Sequence, residues 1–218
     1  MHRATAWLTQ TDLPIAEIAA KSGFGGVESF TRVFRDAYGM PPAKYRREGS
    51  HRRFDPSTSN GSGAMYEVEI RKLTRTRAAT IPHKGSYMEI GRAFEKLFGT
   101  LAARNLLQPG IRMIGIFYDD VASVPEAELR SRAAIIGADS MPIEAPLEPA
   151  IIAGGDYAVI RHKGPYADMK PAYEWLYGSW LPRSGREPGD APCLEEYLNS
   201  PRDTPPADLL SDIYLPLK

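Results

Sequence analysis

An α+β protein is implied: a small helical head carrying a helix–turn–helix, then a strand–helix–strand–strand unit written twice about a pseudo-twofold axis. Three observations carry this reading. The pentapeptide HKGSY at 83–87 returns as HKGPY at 162–166, 79 residues later. The windows around it, 79–101 and 158–180, are identical at ten of 23 positions, which marks an internal duplication. Between head and body, SHRRFDPSTSNGSGA (50–64) is rich in Ser, Gly, Asn and Pro and has no apolar period, as a linker does. The chain then divides into a head (1–49), a flexible linker (50–64) and a body (65–218), with repeats at about 65–140 and 147–218.

In the head, LPIAEIAAKSGF (13–24) sets Ile15, Ile18 and Ala19 on one helical face behind Asp12 and Pro14 as a start signal. Gly23 supplies a left-handed stop, and Phe24 can fold back on the core. A second helix is expected at 27–37, with Phe30, Val33, Phe34 and Ala37 inward, ended by Gly39 and Pro41-Pro42. The segment is basic. Residues 1–53 hold nine Lys/Arg and five acids, 9 − 5 = +4, against 18 − 22 = −4 for the remainder. Two short helices joined by a glycine turn in a basic segment form a helix–turn–helix candidate.

The wording of this head resembles the second DNA-binding motif of the AraC/XylS family, met here by Ile15, Ile18, Ala19, Gly23, Phe24, Phe30, Arg32, Phe34, Gly39, Pro42, Tyr45 and Arg46. The resemblance implies that helix 27–37 enters the major groove. Val27, Glu28, Thr31, Arg32 and Arg35 would then meet bases or phosphates, with Lys44, Arg46 and Arg47 on the backbone. The family pairs two such motifs through a long helix, and RATAWL (3–8) resembles the tail of that helix. The resemblance thus implies either a first motif upstream of Met1 or its loss. A lone motif makes few phosphate contacts, so a homodimer is the expected way to firm DNA binding.

In the body each copy reads alike. RAATIP (77–82) and YAVIRH (157–162) are strands, the Lys-Gly pair turns the chain, and a helix comes next. Its apolar stripe is Ile90, Phe94, Leu97, Phe98 and Leu101 in copy one, and Met169, Tyr173, Leu176, Tyr177 and Trp180 in copy two. Further strands are expected at 111–118 and 132–137, and at 193–198 and 211–217. The repeated His-Lys-Gly-x-Tyr is expected to serve shape rather than chemistry: a turn glycine and an anchoring tyrosine, with no reacting histidine.

The body resembles the GyrI-like small-molecule-binding domain over about 65–218, through Y-x-V-x-I (66–70), the paired H-x-G-x-Y motifs, GIFYDD (115–120), WLP-x-SG (180–185) and EEYLNSPRDTPPADLLSDIYLPL (195–217). In that family an acid in E-x-Y on the penultimate strand projects into an aromatic cleft. Carried over, the acid is Glu195, with Tyr197 on the same strand face and Trp175, Trp180, Tyr166, Phe117 and Tyr118 as expected aromatic partners; copy two is the richer in such rings, Tyr173 among them, against Phe94 and Phe98 in copy one. A carboxylate among aromatic rings suits a lipophilic cation.

Composition bounds the rest. No apolar run approaches the roughly 20 residues that span a bilayer. One cysteine, Cys193, cannot form an intrachain disulfide, which fits a cytoplasmic protein. There is no metal-ligand cluster, nucleophile elbow or phosphate loop in the sequence, so no metal or cofactor is expected. The expected function is a one-component transcriptional regulator: the body binds a hydrophobic or cationic effector and the head binds DNA. The alternatives are a GyrI-like hydrolase, with Glu195 and Tyr157 or Tyr197 as acid–base pair, and a ligand-sequestering protein with a vestigial head.

Overall fold

The computed structural model describes residues 4, 7, 8, 11–38, 40–48, 66–137 and 141–218. The expected linker, 50–64, lies outside them, as do Gly39 and the side chain of Ala37.

The described residues of the head include the helices α1 (Ile15–Lys21), α2 (Val27–Tyr38) and α3 (Pro42–Glu48). Helix α1 ends as the glycine signal predicts. Gly23 has φ +83°, its N–H bonds to Ala20 O at 3.0 Å, and the Phe24 N–H reaches back to Ala19 O at 3.0 Å. This pairing satisfies the last-turn carbonyls. The head core gathers Ala4, Leu8, Ile18, Ala19, Phe30, Phe34 and Tyr45. Two expectations are corrected. Val33 is 37% exposed, because it lies off the helix face on which Phe30 and Phe34 are buried. Helix α3 has no counterpart in the sequence expectation, which stops at the prolines; Pro42 instead starts it, where a missing N–H costs no hydrogen bond.

The body is one eight-stranded antiparallel sheet with helices on one face. Its strands are β1 (Val68–Leu73), β2 (Thr76–Lys84), β3 (Arg112–Phe117), β4 (Arg130–Ile136), β5 (Glu148–Ile152), β6 (Gly155–Lys163), β7 (Cys193–Tyr197) and β8 (Leu210–Pro216), in the order β1-β6-β8-β7-β3-β4-β2-β5. The order reads the same from either end once copy one is exchanged for copy two. The leading strands β1 and β5 are additions to the expected set, and each crosses to the other copy: β1 pairs with β6 and β5 with β2.

That exchange forces a curl. Strands β1 and β2 stand first and seventh in the sheet, about 29 Å apart if it were flat. Only Thr74 and Arg75 join them, and three Cα steps reach about 11 Å at most. Strands β5 and β6 are linked as tightly through Ala153 and Gly154, so the two ends of the sheet bend toward each other. They meet at Gly154, where a Cβ would stand 2.8 Å from the Arg75 nitrogen. The strand-only face thereby closes on itself. Ala78, Ile116, Ala134, Tyr157, Leu194 and Tyr214 are buried there with no helix in the cluster. At its polar end Asp212, 1% exposed, accepts from Arg71 and Arg161, and Glu196 accepts from Arg112 and Tyr214.

The other face carries the helices. Helix α4 (Gly91–Ala103) lies over Ala79, Ile81, Ala133 and Ile135, burying Ala93, Leu97 and Leu101. In copy two α5 (Lys170–Trp175) runs through a π-helical turn (Leu176–Trp180) into α6 (Leu181–Ser184), over Ala158, Ile160, Ile213 and Leu215. The π turn corrects the expected stripe. Widening one turn by a residue rotates the downstream side chains about the helix axis, so Leu176 stays buried while Tyr177 is 43% exposed.

Duplication persists at the level of single hydrogen bonds. Gly85 N–H donates to Leu129 O at 2.8 Å, and Gly164 N–H to Leu209 O at 2.9 Å. A side-chain oxygen of Asp119 accepts from Arg130 N–H, as that of Asn199 does from Leu210 N–H. Short 3-10 turns begin on the closing tyrosine of both pentapeptides, at Tyr87–Glu89 and Tyr166–Asp168, and others precede β4 and β8, at Glu126–Glu128 and Pro206–Asp208.

Candidate ligand-binding site

Strands β3 and β7 meet at the centre of the sheet with Gly115 opposite Glu195, Met113 opposite Tyr197 and Phe117 opposite Cys193. Beyond the helices the two copies are offset by 80 residues, so 115 and 195 are equivalent positions facing each other across the pseudo-axis. The acid occupies one side and a glycine the other. A Cβ on Gly115 would stand 2.9 Å from the Tyr197 hydroxyl and 2.7 Å from the Phe117 ring, so the glycine leaves room for both.

Glu195 lies on the helix-bearing face and is 9% exposed. The Tyr173 hydroxyl donates to Oε1 at 2.8 Å and the Tyr197 hydroxyl to Oε2 at 2.8 Å. Burial pushes the carboxyl above its ordinary range, and the two hydroxyls pull it back part of the way. Burial, then the neighbouring carboxylate, hold both phenols far above their ordinary value, so they stay protonated and donate. Among the described residues no lysine or arginine pairs with Glu195. Its neighbour Glu196 points to the opposite face and is gripped by Arg112 at 2.6 Å.

The walls are aromatic. The Tyr197 ring stands between Phe94, edge-on at 5.4 Å, and Tyr166, tilted at 5.1 Å. Trp175 packs on Tyr66 at 5.4 Å, and Trp180, Met113 and Cys193 border the same cluster. Burial pushes the Cys193 thiol up, which keeps it an unreactive wall; the Tyr177 hydroxyl lies 2.9 Å from its sulfur.

Of the residues expected around the acid, Tyr197, Tyr166, Trp175 and Trp180 fall in or against this cluster. Phe117 shares the strand face, and its ring meets Tyr87 at 4.8 Å. Tyr118 does not join them: the next residue after Phe117, it turns away and is 42% exposed. Tyr157 faces the strand-only side and donates to Ala153 O at 3.0 Å, which removes it as an acid–base partner of Glu195. Two elements of the site are not marked by the sequence. Tyr173 is counted there among the rings of copy two but not as a hydrogen-bond donor to the acid, and Gly115 becomes visible only when the second half of each copy is slid by 80 rather than 79. The histidines of the repeated motif differ in their bonds. His83 meets Ser131 Oγ at 3.1 Å and His162 meets Pro165 O at 3.1 Å, while Gly85 and Gly164 both need positive φ, +115° and +134°.

In the head, Val27, Glu28, Thr31, Arg32 and Arg35 line one open depression along α2, the surface the sequence assigns to DNA. Lys44 and Arg47 are exposed on α3. Arg46 turns inward: its guanidinium donates to Leu8 O at 3.3 Å and also to Leu13 O, tying α3 to the chain before α1 rather than facing a phosphate.

Comparison with known proteins agrees with both halves. The family described as GyrI-like small molecule binding domain matches residues 66–218, and a helix-turn-helix domain matches residues 1–48. A DNA gyrase inhibitor of Yersinia enterocolitica is 32% identical over 123 residues, 54% of this chain and 77% of that one. The probable transcriptional regulator YgiV of Escherichia coli is 35% identical over 107 residues, 47% of this chain and 65% of its own length. Among solved structures, an EcmrR–DNA complex superposes with TM-score 0.61 at 14% identity, covering 99% of this chain and 76% of that one, which is a likeness of fold. No helix among the described residues is long and apolar enough to cross a membrane.

Proposed function

The chain belongs to the GyrI-like small-molecule-binding domain family, joined to an AraC-type helix-turn-helix, and from this premise we propose that it is a one-component transcriptional regulator whose effector is a hydrophobic cation seated at Glu195. The observation that carries the effector class is a buried carboxylate held by two tyrosines and, among the described residues, by no cation. A lipophilic cation supplies the missing charge, while Tyr197, Tyr166 and the nearby tryptophans offer π faces and apolar area. Both hydroxyls are engaged in holding the acid, which favours a receptor over a hydrolase. Val27, Glu28, Thr31, Arg32 and Arg35 read the major groove, with Lys44 and Arg47 on phosphates, and a homodimer presents two such helices to adjacent half-sites. Such a protein works in the cytoplasm, with the DNA.

Fluorescence anisotropy with the promoter fragment upstream of its own gene, at low salt, tests this reading. Tetraphenylphosphonium should shift the DNA affinity at least fivefold in either direction. Binding to DNA that ignores the cation, or no binding at all, would overturn it, because regulation requires the ligand to distinguish two states.

A further inference from the structure

The head meets the body at a polar contact. The Tyr45 hydroxyl on α3 donates to both carboxylate oxygens of Asp168, at 2.9 and 3.0 Å. Beside it, α2 runs close to the 206–208 turn before β8. Both body turns belong to copy two. Glu89, equivalent to Asp168, forms an ion pair with Arg92 at 3.2 Å on the surface. Duplication supplied two equivalent turns, and it is the second whose acid is turned to the head.

Asp168 is also one 3-10 turn away from the effector cluster. The turn Tyr166–Asp168 is closed by Asp168 N–H on Pro165 O at 3.0 Å and Met169 N–H on Tyr166 O at 3.2 Å, so it moves as a unit. Tyr166 packs its ring on Tyr197, whose hydroxyl holds Glu195. A cation seated at Glu195 shares the carboxylate with the hydroxyls of Tyr197 and Tyr173 and packs on the Tyr197 ring, and any shift of that ring is felt by Tyr166 at 5.1 Å. At the far end Tyr45 is 4% exposed, with the rings of Phe34 and Tyr38 at 5.3 and 5.6 Å, so it cannot swing without moving α2. Burial raises Asp168 to about 6, with the Tyr45 hydroxyl pulling it down, as expected for an acid enclosed by the docked head.

We infer that the Tyr45–Asp168 contact is a latch by which copy two holds the DNA-reading head, and that a ligand at Glu195 works it through Tyr197, Tyr166 and the 166–168 turn. The latch itself stands on the contact geometry alone; its response to ligand rests on the effector site proposed above.

Hydrogen–deuterium exchange on the full chain tests it, comparing wild type with Tyr45→Phe and Asp168→Ala. Both substitutions should speed exchange in α3 at least tenfold while β7 and β8 keep wild-type protection. Saturating tetraphenylphosphonium should change α3 exchange in wild type and leave it unchanged in Asp168→Ala. Unaltered α3 exchange in both variants overturns the latch. An α3 that responds to the substitutions but not to the cation in wild type overturns the transmission. Should Tyr45→Phe disturb the head core, Asp168→Ala, which lies in the body, decides. Calorimetry of the same cation on wild type and Glu195→Gln reports on the effector site separately: absent binding removes that site and the transmission with it, while the ligand-free comparison still judges the latch.

Discussion

Glu195 gains its character from its surroundings. The next residue, Glu196, shares the strand and the chemistry, yet Arg112 and Tyr214 hold it below the ordinary carboxylate range. Burial holds Glu195 above that range, with tyrosines as its hydrogen-bond partners. Glu195→Gln should therefore weaken tetraphenylphosphonium binding tenfold or more, about 1.4 kcal/mol, while a neutral aromatic ligand of like size loses little, as calorimetry can show. The pH dependence has a definite sign. Protonated Glu195 is uncharged, so cation affinity should rise with pH through the raised value and level off above it. For the ligand-free fold the sign is opposite. A group whose folded-state value is raised binds more protons folded than unfolded, so its contribution to stability grows as pH falls through that value toward the ordinary 4.5. A cation affinity that is flat across this window would place the charge elsewhere. Gly115→Ala tests the other side of the axis. Its Cβ would collide with the Tyr197 hydroxyl and the Phe117 ring, so we expect a loss of about 1–3 kcal/mol in stability together with weaker cation binding. The acid is picked out in the sequence by resemblance to the family's Glu-x-Tyr strand, whereas its hydrogen-bond partner on a neighbouring helix is not marked. Which tyrosine of a stripe reaches across to a strand is set by tertiary packing.

At the level of elements, strands β2, β3, β4, β6, β7 and β8 fall within two residues of the expected bounds, because alternation and the repeat both mark them. Strands β1 and β5 escape for a physical reason. VEIRKL mixes three charges into its six residues, and Arg71 points into the buried polar network with Asp212 at 2.7 Å, so its burial depends on a partner 141 residues away. The π turn at 176–180 is equally hidden, since a helical wheel assumes one pitch throughout. The turn glycines, by contrast, are readable from residue type alone. Gly164 at φ +134° occupies a region that side chains avoid, and Gly85 does the same at +115°. Gly164→Ala and Gly85→Ala should each destabilise the body by about 1–3 kcal/mol, seen as lower denaturant midpoints with unchanged slope. Equal costs are expected because the two turns make the same hydrogen bond, to Leu129 and to Leu209. An unaltered midpoint would show that the turns relax to another shape.

For the whole molecule the decisive feature is the exchange of β1 and β5, which makes each copy incomplete without the other. Copy one alone lacks β5 beside β2 and β6 beside β1, and it presents β3 as a bare central edge where β7 should pair. Exposed strand edges associate. Two molecules of residues 66–140 could rebuild the eight-stranded order with a true twofold in place of the pseudo-twofold, each β1 pairing with the partner's β2 and the two β3 strands meeting at Gly115. The glycine at that crossing leaves open the space that Glu195 fills in the intact chain, so the rebuilt site carries no acid. The isolated repeat should thus be a dimer or an unfolded monomer by light scattering and circular dichroism, with no charge-dependent affinity for tetraphenylphosphonium. The intact body should unfold in one transition, because neither copy has a sheet of its own to retain. A folded monomer of 66–140, or two separate transitions in the body, would mean that the crossing strands are dispensable and that each repeat stands alone.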